Sequence, residues 1–372
     1  MGIPFVDLRA QYLSIKDDID RAVAGVLDSG QYVLGAEVTS FETEFAHAVG
    51  VQHAVGVNSG TSALMLSLWA AGVGPGDEVL TVPFTFVATV AAIHAVGAHA
   101  RLVDIDPCSF TMDPDALAKG VTDRTKAVLP VHLFGQPVDM DPVRAVARQH
   151  GLTVVEDACQ AHGASYNGQP VGSLGHVGCF SFYPTKNLAA AGEGGIIVTN
   201  DADMARTART LRDWGQAQPQ VYALKGGNYR LDAIQAAILR VKLPHLSAWT
   251  EARRAIAARY DARLEGVEVE TPAVMPYAGH VFHVYAVRSA RRDALAEALQ
   301  GRGIGAAVYY PHPIHLQPAY ADLGYQEGDL PGAEAAARET LALPIYPELP
   351  HTAVETVADA VREIAGKRRG DS

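Results

Sequence analysis

Cysteine is scarce in this 372-residue sequence: Cys108, Cys159 and Cys179 are all there are, with no C-x-x-C pair. That excludes a disulfide framework and any four-cysteine zinc or iron–sulfur site, and it suits a reducing cytoplasm. Lysine is also sparse, seven of the 30 basic residues, and the 41 acidic residues leave a net charge of −11. A chain without a basic footprint is not a nonspecific nucleic-acid binder, although local donors can still hold an anionic substrate. No apolar run approaches the roughly 20 residues that a bilayer span needs. The opening stretch MGIPFVDLRAQY has neither the charged start nor the apolar core of a signal peptide, and Val6 breaks the myristoylation pattern. There is no internal repeat and no low-complexity tract.

What is present is a well-packed globular composition, 48% hydrophobic and 19% charged, in a chain longer than one core usually serves. Apolar spacing from Ile15 to Leu27 predicts a helix stopped by Gly30, and FETEFAHAVG predicts another ending at Gly50. Strand and helix patterns then alternate: HAVGV, GTSALMLSLWAAG, DEVLTVP, TFVATVAAIHAVG, ARLVDID, DPDALAKGV, KAVLPVHLFG, DMDPVRAVARQHG and LTVVEDA. Repeated β-α-β units with apolar strands predict a mostly parallel sheet covered by helices. CFSFY and GGIIVTN follow with no helix between them, which predicts a mixed sheet there. Near Pro244 the pattern changes, so we expect a large α/β domain over residues 1–244 and a smaller α+β domain over 245–372. In the latter, strands are expected around Val267–Glu270, His283–Arg288 and Ile304–Tyr309. Helices are expected over EARRAIAARYDARL, from about Arg292, over Glu334–Leu341 and over Val354–Ile364.

Three stretches carry candidate chemistry. In VNSGTSALMLSL a strand runs into a helix through Ser59, Gly60 and Thr61; free N–H groups and hydroxyls there make an anion cradle, and equally an ordinary N-cap. In TVVEDACQAHGA, Glu156 and Asp157 end an apolar strand, where open α/β sheets place their ligands. A carboxylate there suits a buried cation such as a protonated ring nitrogen, or a simple turn cap. Cys159 and His162 look like half a metal site, but no second pair completes it, and no metal is expected. In SFYPTKNLAAAGEGG, Lys186 stands among Phe180, Phe182 and Tyr183. At its ordinary pKa of about 10.4 only about one amine in 2,500 is neutral at pH 7. Low-polarity surroundings lower that pKa, as a nucleophilic or Schiff-base lysine requires. Alone, this lysine could equally be an exposed loop residue. A phosphate cradle, a strand-end acid and such a lysine together are what pyridoxal phosphate needs, since the protein must hold its phosphate, ring nitrogen and aldehyde carbon.

The chain resembles, nearly end to end, the DegT-type nucleotide-sugar aminotransferases, a family of pyridoxal-phosphate enzymes of fold type I. The blocks that carry the resemblance include SGTSAL, GVGPGDEVLTVPFTFVAT, TKAVLPVHLFGQPVDMD, VVEDACQAHGA, SFYPTKNL and NYRLDAIQAAILRVKL. The resemblance implies catalytic roles for Lys186, as covalent lysine and proton shuttle, and for Asp157, as pyridinium partner. It implies Gln160 beside the ring's phenolic oxygen, Phe86 stacked on the ring, and Gly60, Thr61 and Ser181 on the phosphate. Asn228 matches an asparagine supplied by the neighbouring subunit, which implies a homodimer with shared active sites. Arg230, Tyr309 and His315 are the candidate substrate residues. Tyr309 stands in YYPHPIH where many relatives have histidine, which leaves the sugar open. The implied reaction moves an amino group from an amino acid, L-glutamate, to a nucleotide-linked keto-sugar. SGQYVLG and RLDAIQAAILRVKL resemble members acting at C3 rather than C4. The alternatives are a sugar dehydratase of the same fold, in which histidine replaces the lysine or an iron–sulfur set of cysteines is added, and a noncatalytic regulatory protein.

Overall fold

The computed structural model describes residues 2–366. A seven-stranded sheet lies at its centre: β1 (His53–Val57), β2 (Glu78–Thr81), β3 (His99–Leu102), β4 (Thr125–Val128), β5 (Thr153–Asp157), β6 (Val177–Ser181) and β7 (Gly195–Thr199). The spatial order is β1-β7-β6-β5-β4-β2-β3. The pairs from β3 through β2, β4 and β5 to β6 are parallel, whereas β7 runs antiparallel to both β6 and β1. Parallel neighbours need a long crossover; an antiparallel neighbour can be reached by a direct return. That return, residues 182–194, is the loop that carries Lys186. Helices cover both faces, so every residue of β2 and β7 is buried.

The expected helix stops hold: Gly30 and Gly50 cap helices Lys16–Ser29 and Gly35–Val49 at φ 68° and 78°, a conformation glycine adopts without strain. The second of these begins well before FETEFAHAVG, and the helix expected from Thr85 begins only at Ala88. Helices Ala202–Arg212 and Ala233–Lys242 had not been anticipated.

Beyond Pro244, helix Leu246–Leu264 leads to a strand pair, Tyr285–Arg288 with Thr340–Leu343, and helices Arg292–Gly301, Pro331–Glu339 and His351–Ala365. Ile256, Tyr260, Tyr285, Leu299, Leu341 and Val357 build a second apolar cluster here. Two expected strands are absent as strands. Residues 267–270 form isolated bridges, among them Glu270–Arg288, and residues 304–309 the bridges Ile3–Ile304 and Ala307–Ala342. The reason in the second case is the N-terminal segment. Gly305 N donates to Ile3 O at 2.8 Å, and a Cβ on Gly305 would lie 2.5 Å from Phe5 N. Residues 2–5 therefore occupy the place of a longer ladder. The helix expected to reach Leu341 stops at Glu339, and Thr340–Leu343 is a buried strand. Among the described residues, no helix is long and apolar enough to cross a membrane.

One buried carboxylate fixes the loops at the sheet's edge. Glu156 is fully buried, and its oxygens accept from Gly172 N (2.8 Å), Leu174 N (2.7 Å) and Gly175 N (2.6 Å). The fourth donor is His132: its Nδ1 accepts from Val138 N at 3.0 Å, so the ring proton sits on Nε2, 2.9 Å from Glu156 Oε2. Replacing Glu156 by leucine strands four buried donors and should lower stability by about 3–5 kcal/mol, read from urea midpoints.

Two buried histidines and the half-buried His283 are held in neutral form. Burial pushes His162 and His280 down to about 3, and pushes His283 well below its usual value. In the unfolded chain each titrates near pH 6.5. Below that pH the unfolded state binds the extra protons, so the folded state is fully stabilised above pH ~6.5. It loses about 1.4 kcal/mol per pH unit per histidine on acidification towards about 3. Urea midpoints should thus be flat above about pH 7 and fall steeply below about pH 6; a flat profile down to about pH 5 would contradict neutral burial.

Candidate active site

The carboxyl ends of β1, β5 and β6 converge on one place. After β1 the chain turns into helix Gly60–Ala70, with Ser59 extended as N-cap and its Oγ accepting from Ser62 N at 3.1 Å. The first N–H groups of a helix have no partner within it. This helix start lies directly against the end of β6: a Cβ on Gly60 would stand 2.6 Å from Ser181 Cβ and 2.9 Å from Cys159 Sγ. A Cβ on Gly195 would stand 2.3 Å from Ser59 O. Only glycine allows this approach, and it brings Gly60, Thr61 and Ser181 into one cradle of amides and hydroxyls.

Asp157 ends β5 and is 5% exposed. Its backbone is fixed on both sides, N donating to Pro130 O at 2.9 Å and O accepting from His132 N at 3.0 Å. Its Oδ2 accepts from Thr89 Oγ1 at 2.8 Å, and Thr89 pairs in turn with Thr85 Oγ1 at 2.9 Å. Its Oδ1 accepts from Cys159 N at 3.2 Å. Gln160 is oriented from two sides. Oε1 accepts from Phe134 N at 2.8 Å, so the amide nitrogen faces the other way and donates to Tyr310 Oη at 2.9 Å. The Phe86 ring is 53% exposed and 6.1 Å from that of Tyr310, so it is not helix core.

Lys186 sits in the loop between β6 and β7. Phe182 closes that loop, donating from N to Gly194 O and accepting at O from Ala190 N, both at 2.8 Å. Three further ties hold it: Asn187 Nδ2 to Val281 O (3.1 Å), Lys242 Nζ to Ala189 O (2.8 Å) and Ala191 N to Gln235 Oε1 (2.9 Å). Burial lowers the Lys186 pKa, and the negative charge that Asp157 can carry opposes the fall. Burial also pushes the Cys159 thiol well up, so it stays protonated.

The other candidates are divided. Tyr309 is beside the site: burial raises its pKa, with Tyr183 adding to the rise, and its ring lies 5.6 Å from Tyr310. Arg230 pairs with Asp213 at 2.7 Å rather than with Asp232, and Asn228 is exposed beside Asn58, whose side chain donates to Asn228 O at 3.4 Å. His315 is not brought to the group. It is 2% exposed, with Nε2 3.2 Å from Glu334 Oε1. Thr85, Thr89 and Tyr310 are the participants that the sequence reading did not single out.

The arrangement offers an anion cradle, a fixed carboxylate, an oriented amide donor and a lysine with a weakened ammonium within one cleft. Known proteins are similar to the chain that carries it. The model of the DegT/DnrJ/EryC1/StrS aminotransferase family matches residues 13–362. A dTDP-3-amino-3,4,6-trideoxy-alpha-D-glucose transaminase of Streptomyces venezuelae is 47% identical over 98% of this chain and 96% of its own. A protein called pleiotropic regulatory protein in Geobacillus stearothermophilus is also 47% identical, over 98% of both chains. The crystal structure of S. venezuelae DesV, solved with a ketimine intermediate, superposes with a TM-score of 0.96 at 47% identity, covering all of both chains. With the fold, the relatives and the family model in agreement over almost its whole length, this chain belongs to the DegT/DnrJ/EryC1/StrS aminotransferase family.

Proposed function

We propose that the protein is a pyridoxal-phosphate-dependent aminotransferase that passes an amino group from L-glutamate to a nucleotide-linked keto-sugar, at C3 rather than C4. The observation that carries the reading is the convergence of the Gly60 cradle, Asp157 and Lys186 in one cleft. These residues fit the cofactor. Gly60 and Gly195 leave room where any other residue would fill the cradle, and the helix start and Ser181 supply donors suited to a phosphate. When bound, pyridoxal phosphate supplies an electron sink beside the amino nitrogen. The chain's own residues do the rest. Gly60, Thr61 and Ser181 hold the phosphate. Asp157, its carboxylate steadied by Thr89, favours a proton on the ring nitrogen. Gln160, whose amide nitrogen donates one N–H to Tyr310 Oη, would have its second N–H for the ring's phenolic oxygen. Phe86 offers an aromatic face. Lys186, whose ammonium burial disfavours, takes a proton from one carbon and returns it to another.

The C3 preference is supported by the 3-amino product in the name of the S. venezuelae relative. Arg230 and Tyr309 are the proposed sugar contacts; His315, buried against Glu334, would act only by shaping the wall. A homodimer with Asn228 reaching the partner's cradle is part of the same proposal. Val221 and Tyr222, 53% and 59% exposed and close to Asn228 in sequence, give that surface the apolar character of an interface. The division near Pro244 is likewise proposed, supported by the second apolar cluster formed from residues 256–365.

The name of the Geobacillus relative favours one other reading, a regulator without catalysis. Colour separates the two. Protein loaded with pyridoxal phosphate should be yellow and should bleach when glutamate is added; unchanged colour would favour the regulator. Lys186→Ala should lose the yellow absorbance and at least about 1,000-fold in turnover, as general acid–base and covalent roles together predict. Near-normal turnover in that variant would end the assignment. Mass spectrometry of the product from 3-keto and 4-keto sugar nucleotides decides the position.

A further inference from the structure

Two side chains 150 positions apart in the sequence meet at the wall of the cleft and leave a pair of hydrogens uncommitted there. Gln160 is 6% exposed, and its Oε1 accepts from Phe134 N at 2.8 Å. Its amide nitrogen is therefore the end that meets Tyr310 Oη, at 2.9 Å. An amide nitrogen carries two hydrogens, and this bond uses one of them. The tyrosine oxygen accepts in the same bond, so its own hydrogen has to point elsewhere. Among the described residues, no acceptor takes the second amide hydrogen or the hydroxyl hydrogen.

The neighbours of Tyr310 are mostly aromatic. Its ring centroid lies 5.6 Å from that of Tyr309 and 6.1 Å from those of Phe84 and Phe86. Asp157, the nearby carboxylate, accepts from Thr89 Oγ1 and Cys159 N instead. Phe84 is fully buried, whereas Phe86 is 53% exposed, so on the Phe86 side the pair borders open space rather than packed core. Burial pushes the Tyr310 phenol up, against a smaller downward pull from the Gln160 bond, so it keeps its proton at neutral pH. Two free donors on atoms 2.9 Å apart can converge on a single oxygen. Such donors contribute most when that oxygen carries charge.

We propose that Tyr310 and Gln160 form a two-donor seat for one anionic oxygen, the phenolic oxygen of the cofactor ring, in which Tyr310 both fixes the Gln160 amide and donates its own hydroxyl hydrogen. The identity of that oxygen rests on the aminotransferase reading; the pair of free donors does not. Tyr310 is on this account a cofactor-binding residue contributed by the C-terminal third of the chain. It joins that part of the molecule to the strand-end segment 157–160.

The test compares two ligands that differ only in the phenolic oxygen, pyridoxal phosphate and 3-deoxypyridoxal phosphate. Equilibrium dialysis against cofactor-free protein gives a dissociation constant for each. The wild type should prefer pyridoxal phosphate. Tyr310→Phe keeps the ring and loses the hydroxyl, and it should narrow that preference about 10-fold, the usual worth of a hydrogen bond to a charged oxygen. A loss of packing alone would weaken both ligands equally and leave their ratio unchanged, so the ratio isolates the contact. Tyr310→Met, which also lacks a hydroxyl, serves the same comparison if Tyr310→Phe fails to fold. An unchanged ratio in a folded variant would overturn the proposal. So would an unchanged ratio joined to a raised KM for the keto-sugar, which would give the seat to a substrate oxygen. A wild-type protein that takes up neither ligand would sink the aminotransferase reading itself, whereas uptake with a fixed ratio sinks the seat alone.

Discussion

Glu156 and Asp157 are neighbours in sequence whose side chains leave β5 on opposite faces, because successive strand residues alternate. The two carboxylates meet different partners. Glu156 is closed off by four donors and serves the scaffold, gripping residues 172–175 and, through His132, the segment 131–138. That segment presents the Phe134 N–H that turns Gln160. Asp157 accepts from one hydroxyl and one amide and faces the cleft. One strand end thus provides both the anchor of the loops and the acid they surround, so the acceptor at Asp157 and the donor at Gln160 are set by the same backbone.

The two charged neighbours sit in different surroundings. Asp157 accepts from a hydroxyl and an N–H, whereas Lys186 lies where burial disfavours its ammonium. The antiparallel return from β6 to β7 makes this compatible. It throws the lysine loop across the sheet end beside Asp157, and ties to Gln235 and Lys242 of one helix and to the Val281 carbonyl hold it in place. In the proposed aminotransferase the amine must keep one position through two proton transfers, and so firmly tied a loop suits that need.

Much of this was legible from residues alone, because its signals are local. Strands buried on both faces read as apolar runs, Gly30 and Gly50 mark helix ends, and two strands without an intervening helix reveal the mixed edge. The Ser-Gly-Thr turn, the strand-end acid and the isolated lysine were visible for the same reason. What escaped depends on contacts far along the chain. Thr89 reaches Asp157 across 68 positions, and Tyr310 reaches Gln160 across 150. A threonine within an apolar helix pattern carries no mark of such a partner. His315 stands in a proline-rich loop, and its burial against Glu334, 19 positions away, is likewise unmarked in the sequence. His162 read as half a metal site; its packing against Phe180 and Phe182 is a property of the folded interior only.

The bridge between Ile3 and Ile304 has an implication for how the molecule is handled. It works as a clasp: the first few amino acids are stitched to the last third of the polypeptide, not to the sheet they precede. A purification tag or fusion placed at the front would therefore push on the C-terminal half, and clipping the leading five residues would loosen the far end of the protein while leaving the cofactor cleft's own supports untouched.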